Sequence, residues 1–453
     1  MSIFLTHAYY IQEDEKEASI MKPYVPLGIL YISAFLKQNN LSTKVFDTTF
    51  SSFEQQKNEL LQHNPSIIGV YTNLVTKLNV IRLIKWIKTE PLLAKSKIIL
   101  GGPDLRYNIE NYLKTGADYL VIGEGEQTMN DLCEKILNED SSDFEHIPGI
   151  AFIQNEKIVQ TTERTKIKAI DELPFPDRES VDMSQYLEVW KDNHGMSMLS
   201  ISTQRGCPYT CKWCSTAVYG VSYRRRSAKL VADEIEMLLQ QYQPDAFWFV
   251  DDVFTVSHKW IAAFHQEVTT RGLKFKFECI TRAERLNDEV LQQLKEMGCS
   301  KIWIGAESGS QKIIDEMDRR VDVNQVSKMI QETKSKGIQT GTFIMLGYPN
   351  ETIEDIKKTV TYLKSCQPDD FTLTVTYPIK GTSLFEQVSD KIIESKDWFT
   401  STDRELDFKR TYSRKFYDHA VRYVVNEVNY HKNHSFKHKL KSVVSRALMS
   451  VTK

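Results

Sequence analysis

No stretch of about 18 consecutive apolar residues occurs in the 453-residue chain, so a membrane-spanning helix is not expected. The opening Met1-Ser2-Ile3-Phe4-Leu5-Thr6-His7 has no basic segment followed by a long apolar one, so no signal peptide is expected. Neither sign of charge is in excess: 58 Lys and Arg against 60 Asp and Glu leave a net charge of −2. Nothing in that balance points to a nucleic-acid partner. Cysteine is scarce and odd in number, seven in all, which argues against a disulfide framework. Cys133, Cys279, Cys299 and Cys366 are scattered in apolar contexts and read as buried, reduced thiols. Repeats and low-complexity tracts are also missing.

The composition that remains, 41% hydrophobic and 26% charged, is that of an ordinary globular chain long enough for about three structural units. Residues 1–140 alternate short β-rich runs (Ile3–Thr6, Thr43–Asp47, Ser66–Tyr71, Lys97–Gly101, Tyr119–Gly123) with amphipathic stretches such as Leu27–Gln38 and Leu78–Thr89. That alternation predicts a doubly wound, Rossmann-like α/β domain, which binds ligands beyond the carboxyl ends of its strands. Gly101-Gly102-Pro103 and Gly123-Glu124-Gly125-Glu126 fall at such ends, where glycine lets a large ligand approach the backbone. Residues 141–194 read as a hairpin, Ile150–Thr161, and a proline-containing linker. Residues 195–380 alternate again, with six strand candidates and five helical segments, which suggests a partial (β/α)₆ barrel with its active site at the C-terminal strand ends. Residues 381–453 lose the alternation and read as helical.

Directly after the first barrel strand stands Arg205-Gly206-Cys207-Pro208-Tyr209-Thr210-Cys211-Lys212-Trp213-Cys214, a C-x₃-C-x₂-C spacing. Thiolates suit iron–sulfur clusters or zinc. A closed structural zinc site needs four ligands, and no histidine lies between residues 195 and 257. A distant fourth zinc ligand and three unrelated thiols are the alternatives. Three cysteines on a four-iron cluster leave one iron open. This triplet, with aromatic Trp213 before its last cysteine, resembles the signature of the radical SAM superfamily. The resemblance implies a [4Fe–4S] cluster on Cys207, Cys211 and Cys214. It also implies S-adenosylmethionine (SAM) on the open iron, cleaved reductively to a 5′-deoxyadenosyl radical, with an electron donor such as flavodoxin or ferredoxin.

Other strand ends carry polar groups that the resemblance assigns to SAM. Asp251 and Asp252 suit its ammonium group, although they could instead cap the following helix. Arg282 is a candidate for its carboxylate or for the substrate, and solvent exposure is the alternative. Glu307 or Ser308 could bond ribose hydroxyls, while Ser308 or Ser310 could simply cap a helix. Gly347 would admit the adenine, and Glu351 either joins it or interacts with the next helix dipole. The basic run Arg224-Arg225-Arg226 reads as a solvated face or as a contact for an anionic substrate.

The doubly wound domain ahead of such a barrel, with its Gly-Gly-Pro and Gly-Glu-Gly-Glu turns and Pro26-Leu27-Gly28-Ile29-Leu30-Tyr31-Ile32, resembles the cobalamin-binding subclass of that superfamily. Gly101, Gly102, Gly123, Glu124 and Gly125 would then meet cobalamin. The Asp-x-His-x-x-Gly motif that carries the lower cobalt ligand in many such domains is absent: His7 is flanked by Leu5 and Tyr10 at the motif positions. The resemblance implies methylation of an unactivated carbon of a small-molecule or lipid-like substrate. The alternatives are an oxidative cyclase of the kind that acts anaerobically on magnesium-protoporphyrin monomethyl ester, a methylthiotransferase-like enzyme acting on RNA, and a non-catalytic cobalamin or iron–sulfur sensor. An oxygen-sensitive cluster predicts a protected cytoplasmic setting. Finally, residues 431–453 hold six Lys and Arg and no acid, with Phe436, Leu440, Val443, Val444, Ala447, Leu448 and Val451 at helical spacing. Either that helix docks on the barrel with a solvated basic face, or it lies on the inner face of a membrane.

Overall fold

The computed structural model of the protein describes residues 2–138, 144–215, 218–393 and 396–453. The expected boundary between residues 140 and 141 lies outside them. Among the described residues, two parallel sheets dominate.

The first sheet contains β1 (Ile3–His7), β2 (Thr43–Phe46), β3 (Ile67–Tyr71), β4 (Lys97–Gly101), β5 (Tyr119–Val121), β6 (Ile150–Gln154) and β7 (Lys157–Gln160), in the order β2-β1-β3-β4-β5-β6-β7. The first five strands are parallel. Their interiors are near-continuous apolar runs, as strands covered by helices on both faces require. Strand order reverses between β1 and β3, the switch point at which such sheets bind ligands. The hairpin β6–β7, assigned by its sequence to the linking segment, pairs antiparallel with β5 and edges this sheet.

The linking segment also holds a helix that the sequence reading did not anticipate, Met183–His194, capped by the Asp182 carboxylate and ended by Gly195 at φ 75°. Its Tyr186 hydroxyl donates to Asp47 Oδ2 at 2.7 Å, and Trp190 Nε1 donates to the Pro23 carbonyl at 2.7 Å. Just before it, buried Arg178 donates to Glu234 Oε1 (2.5 Å) and to the Ser200 carbonyl (3.0 Å). The segment therefore stitches the two sheets together.

The second sheet begins with β8 (Met198–Ile201). A short antiparallel ribbon follows, β9 (Gln204–Arg205) with β10 (Arg224–Arg225). The remaining strands are β11 (Ala246–Phe249), β12 (Lys276–Thr281), β13 (Cys299–Glu307), β14 (Gln339–Leu346) and β15 (Asp370–Val375). Six parallel strands run β8-β11-β12-β13-β14-β15 without closing, which makes the domain a partial (β/α)₆ barrel. Phe247, Phe249, Phe254, Phe264 and Phe277 form a buried aromatic cluster in its core.

Helix Arg414–Asn433 packs on helix Ile353–Cys366 and on β15, burying Phe416, Tyr417, Ala420, Val424 and Val428. The last helix, Phe436–Val451, packs on Arg414–Asn433. Among the described residues no helix is long and apolar enough to cross a membrane.

Candidate active site

The cysteine loop leaves the ribbon strand β9 at Gly206, whose φ is +79° and whose Cβ, were there one, would lie 2.5 Å from the Ser222 carbonyl oxygen. Only glycine fits there. Cys207 bridges to Val221. Farther along, Lys212 N–H donates to the Met317 carbonyl (3.2 Å), and the Lys212 carbonyl accepts from Leu384 N–H (2.8 Å). Trp213 packs into an apolar cluster with Ile313, Met317, Tyr348, Leu384 and Met345. These anchors leave Cys207 and Cys211 partly exposed and Cys214 exposed. Burial, and then the charges of Asp252 and Cys211, push the Cys207 thiol up, while the Tyr209 backbone and Arg282 oppose them. Arg282 Nη1 lies 3.3 Å from Cys211 Sγ. Among the described residues no three His, Cys, Asp or Glu side chains gather as tightly as a single metal ion requires. A cluster of several irons spaces its ligands more widely. Three soft sulfurs on one pinned loop, with no fourth ligand beside them among the described residues, fit such a cluster better than structural zinc.

The barrel ends beside this loop do not all do what their sequence suggested. Asp251 is buried and turned back: its carboxylate accepts from Thr203 N–H (2.8 Å), Thr203 Oγ1 and Gln204 N–H (3.2 Å), with Arg225 Nη2 at 3.7 Å. It fixes the run-in to the cysteines, and Asp252 is the exposed member of the pair. Ser308 is buried, its hydroxyl accepting from Ser310 N–H (3.1 Å) and lying 3.3 Å from Thr359 Oγ1, so it is committed to local structure. Ser310 donates to Asp355 at 2.7 Å. The expectation that Gly347 leaves room for a flat base is not met. A Cβ there would meet Arg410 Cδ at 3.2 Å and Tyr417 Cδ1 at 3.5 Å, because the C-terminal region covers that glycine. Its N–H donates to Glu351 Oε2 (2.6 Å) and its carbonyl accepts from Arg410 (3.1 Å). Glu351 is thus a buried partner of the turn, and burial pushes its carboxyl up to about 8.

Glu307 ends β13 as a buried carboxyl at the barrel's C-terminal face. It sits at φ 62° where the β13–β14 register shifts, a strained conformation of the kind that gathers at functional sites. Burial pushes its carboxyl up to about 7, against Arg319 and Arg282. Arg319, which the sequence reading missed, is buried beside it: its Nε lies 3.9 Å from Glu307 Oε1, its Nη1 3.7 Å from Glu284 Oε1, and its Nη2 3.1 Å from the Gly305 carbonyl. Arg282 donates to Glu284 and to the Arg319 carbonyl, so it is an enclosed neighbour of the cysteines rather than a solvent-exposed residue. Arg319 Nη1 and Glu284 Oε2 are buried without a hydrogen-bond partner. Such orphans suit a polar ligand with both charges, as the ammonium and carboxylate of an amino acid present.

The basic run is neither solvated nor open to a substrate. Arg224 Nη1 donates to Glu124 Oε1 (2.6 Å), Arg225 lies 3.5 Å over the Trp260 ring, and Arg226 pairs with buried Glu234. Arg205, the last residue of β9, reaches Glu126 with Nη2 and Glu124 with Nη1 (3.5 Å). Glu124 also accepts from Ile167 N–H at 2.7 Å. The Gly-Glu-Gly-Glu turn of the first sheet is thereby latched to the ribbon that carries the cysteines. The opposite charges were legible, but their pairing across about eighty residues was not.

Above the first sheet opens a cleft of about 320 Å³. Its lining includes Gly28, Gly69, Gly101, Gly102, Gly123 and Gly125 on one side and Arg205, Val218 and Tyr219 from the cysteine-bearing segment on the other. A Cβ on Gly101 would meet nothing within 4 Å, and one on Gly28 would only touch Tyr71 at 4.0 Å. Gly28 and Gly101 thus leave the cleft open for a large, flat ligand, and a corrin ring fits that shape. Among the described residues no histidine lines it. His7 is spent elsewhere, with Nε2 2.9 Å from Asp47 and Nδ1 2.9 Å from Thr48 Oγ1. It is not available as a ligand to a metal in the cleft.

Residues 201–363 match the radical SAM superfamily, and residues 18–133 match the B12 binding domain. An uncharacterized methyltransferase of Pyrococcus horikoshii is 25% identical over 396 residues, covering 85% of this chain and 83% of its own. The anaerobic magnesium-protoporphyrin IX monomethyl ester cyclase of Rubrivivax gelatinosus is 26% identical over 387 residues, covering 83% and 68%. The fold is that of the cobalamin-dependent S-adenosylmethionine radical enzyme OxsB, solved with aqua-cobalamin, at a TM-score of 0.76 and 16% identity. That superposition spans 94% of this chain and 66% of OxsB.

Proposed function

We propose, for an enzyme that couples a B12-binding domain to a radical SAM domain, that it methylates an unactivated carbon of a small-molecule or lipid-like substrate. One observation carries the proposal: Arg205 before the three cysteines and Val218 and Tyr219 after them all line the glycine-lined cleft. The two cofactor sites are thus neighbours. When bound, SAM, a [4Fe–4S] cluster and cobalamin supply a 5′-deoxyadenosyl radical for hydrogen abstraction and a methyl group for the carbon so activated.

The chain's own residues bind, orient and shield. Cys207, Cys211 and Cys214 would hold three irons, and the Arg282 N–H beside Cys211 sulfur would raise the reduction potential of the group held there. Arg319 and Glu284, with their orphaned atoms, and Asp252 would receive the charged end of SAM. Glu307, partly protonated near neutrality, can donate or accept at the ribose. Gly28, Gly101 and Gly123 would seat the corrin. A flavodoxin- or ferredoxin-type donor would supply the electron.

The polar barrel end supports an enzyme over a sensor, which needs no SAM pocket. The test begins with anaerobic reconstitution using iron, sulfide and hydroxocobalamin. About four irons and about one retained cobalt per chain are expected. Candidate substrates are then incubated with methyl-labelled SAM and a reductant. Label in the product supports methylation; SAM cleavage with an unlabelled, oxidised product would replace it with the cyclase reading.

A further inference from the structure

The last helix, Phe436–Val451, turns its polar side inward. Its buried residues are Ser442, Ser445 and Met449. Ser442 donates to Glu427 on the supporting helix, and His438 Nδ1 lies 2.9 Å from Asn426 Oδ1. The apolar residues face outward instead: Phe436 is 78% exposed, Leu440 55%, Val443 55%, Val444 49%, Leu448 39% and Val451 83%. At 3.6 residues per turn these six form one stripe on the side opposite Ser442 and Met449. Lys441 borders it along one edge, with Lys437 just inside that edge, and Lys439 and Arg446 lie along the other. Scattered exposed apolar residues are ordinary, but a contiguous stripe framed by charge of one sign marks an interaction surface.

We propose that this helix docks the enzyme on an anionic lipid bilayer, lying in the headgroup plane with its apolar stripe in the acyl boundary. The charges select that occupant. No acidic residue occurs from 431 to 453. Two such faces brought together would set cations against cations, with no acid within the segment to pair them. A surface of anionic headgroups satisfies both borders at once, and the lysine stems reach it while the apolar stripe sinks. The helix is not long and apolar enough to span a membrane, so it rests on one. Nothing in this placement depends on the substrate or on methyl transfer.

The experiment is co-sedimentation of the full chain with phosphatidylglycerol/phosphatidylcholine vesicles and with phosphatidylcholine vesicles. Binding is expected to the first, weakening with added salt, and far less to the second. Two double variants change exposed positions only and leave the thermal midpoint near that of the parent. K437E/K441E should lower affinity about tenfold or more, and L440E/V444E should abolish binding. Failure to bind anionic vesicles, or binding by both variants equal to that of the parent, overturns the proposal. So does a parent chain that dimerises in sedimentation velocity while L440E/V444E stays monomeric, which would assign the stripe to a second copy.

Discussion

Replacing Arg205 with methionine tests the latch between the two domains. The methionine keeps much of the side-chain volume, so the change is chiefly one of charge. Arg205 is 8% exposed and holds Glu126 and, more loosely, Glu124. Glu124 retains Arg224 at 2.6 Å and the Ile167 N–H, so its charge stays compensated. Glu126 loses its close partner and is left as a buried carboxylate. Breaking a buried pair from one side costs about 3 kcal/mol or more, most of it the stranded charge. At about 2–4 °C per kcal/mol, the midpoint of the transition that separates the domains should fall by about 6–12 °C. The double variant R205M/E126Q removes the stranded charge and should regain at least half of that loss. Differential scanning calorimetry of the four proteins closes the cycle. A midpoint for R205M within about 2 °C of the parent, or a double variant whose loss from the parent equals the sum of the two single losses, would refute the latch. Because Arg205 also walls the cleft, R205M should retain less cobalamin after desalting while its iron content stays the same.

The remaining predictions concern single positions. Gly101→Val places two methyl groups where a Cβ meets nothing within 4 Å, so the chain should fold and keep its iron but lose most of its cobalamin absorbance. Gly206→Ala drives a methyl to 2.5 Å from the Ser222 carbonyl at a left-handed φ, and reconstituted iron should fall by more than about half with far-ultraviolet dichroism unchanged. Glu351 holds its proton in the folded chain up to about pH 8, whereas its unfolded value is near 4.5. Between those values the unfolded chain binds fewer protons, so this residue makes stability fall as pH rises. Glu351→Gln should therefore flatten the decline in thermal midpoint from pH 6 to 8, and an unchanged slope would show that the buried carboxyl is not its source. Arg282→Leu removes the N–H beside Cys211 Sγ and should lower the reduction potential of the reconstituted centre in an optical titration.

Much of the fold was legible because its signals are local. Leu27–Gln38, Ala228–Tyr242 and Ile353–Cys366 begin and end where their periodicity does, and the strand cores of both sheets lie where the apolar runs fall. The cysteine triplet was equally plain, since spacing within eight residues needs no tertiary information. What stayed hidden was what each polar group faces. Arg224, Arg225 and Arg226 are adjacent in sequence, yet one meets the first domain, one an indole and one a buried glutamate. Gly347 ends its strand as a base-admitting glycine should, but Arg410, sixty-three residues later, lies over it. Arg319 has no motif around it. The tail shows the limit most clearly: periodicity identifies an apolar stripe but not which way it turns, and in the fold Ser442, Ser445 and Met449 face inward, with Ser442 donating to Glu427.

The barrel is open, and its cysteines follow β8, the strand at one margin, which has a strand neighbour on only one side among the described residues. In a closed barrel that strand's other neighbour would steady whatever loop it bears. Here part of the steadying comes from Glu124 and Glu126 of the preceding domain. The two halves are consequently not modules that can be traded between chains: grafting a foreign B12-binding domain onto this barrel would have to supply two acids at the same reach, or the graft would loosen the very loop it was meant to serve.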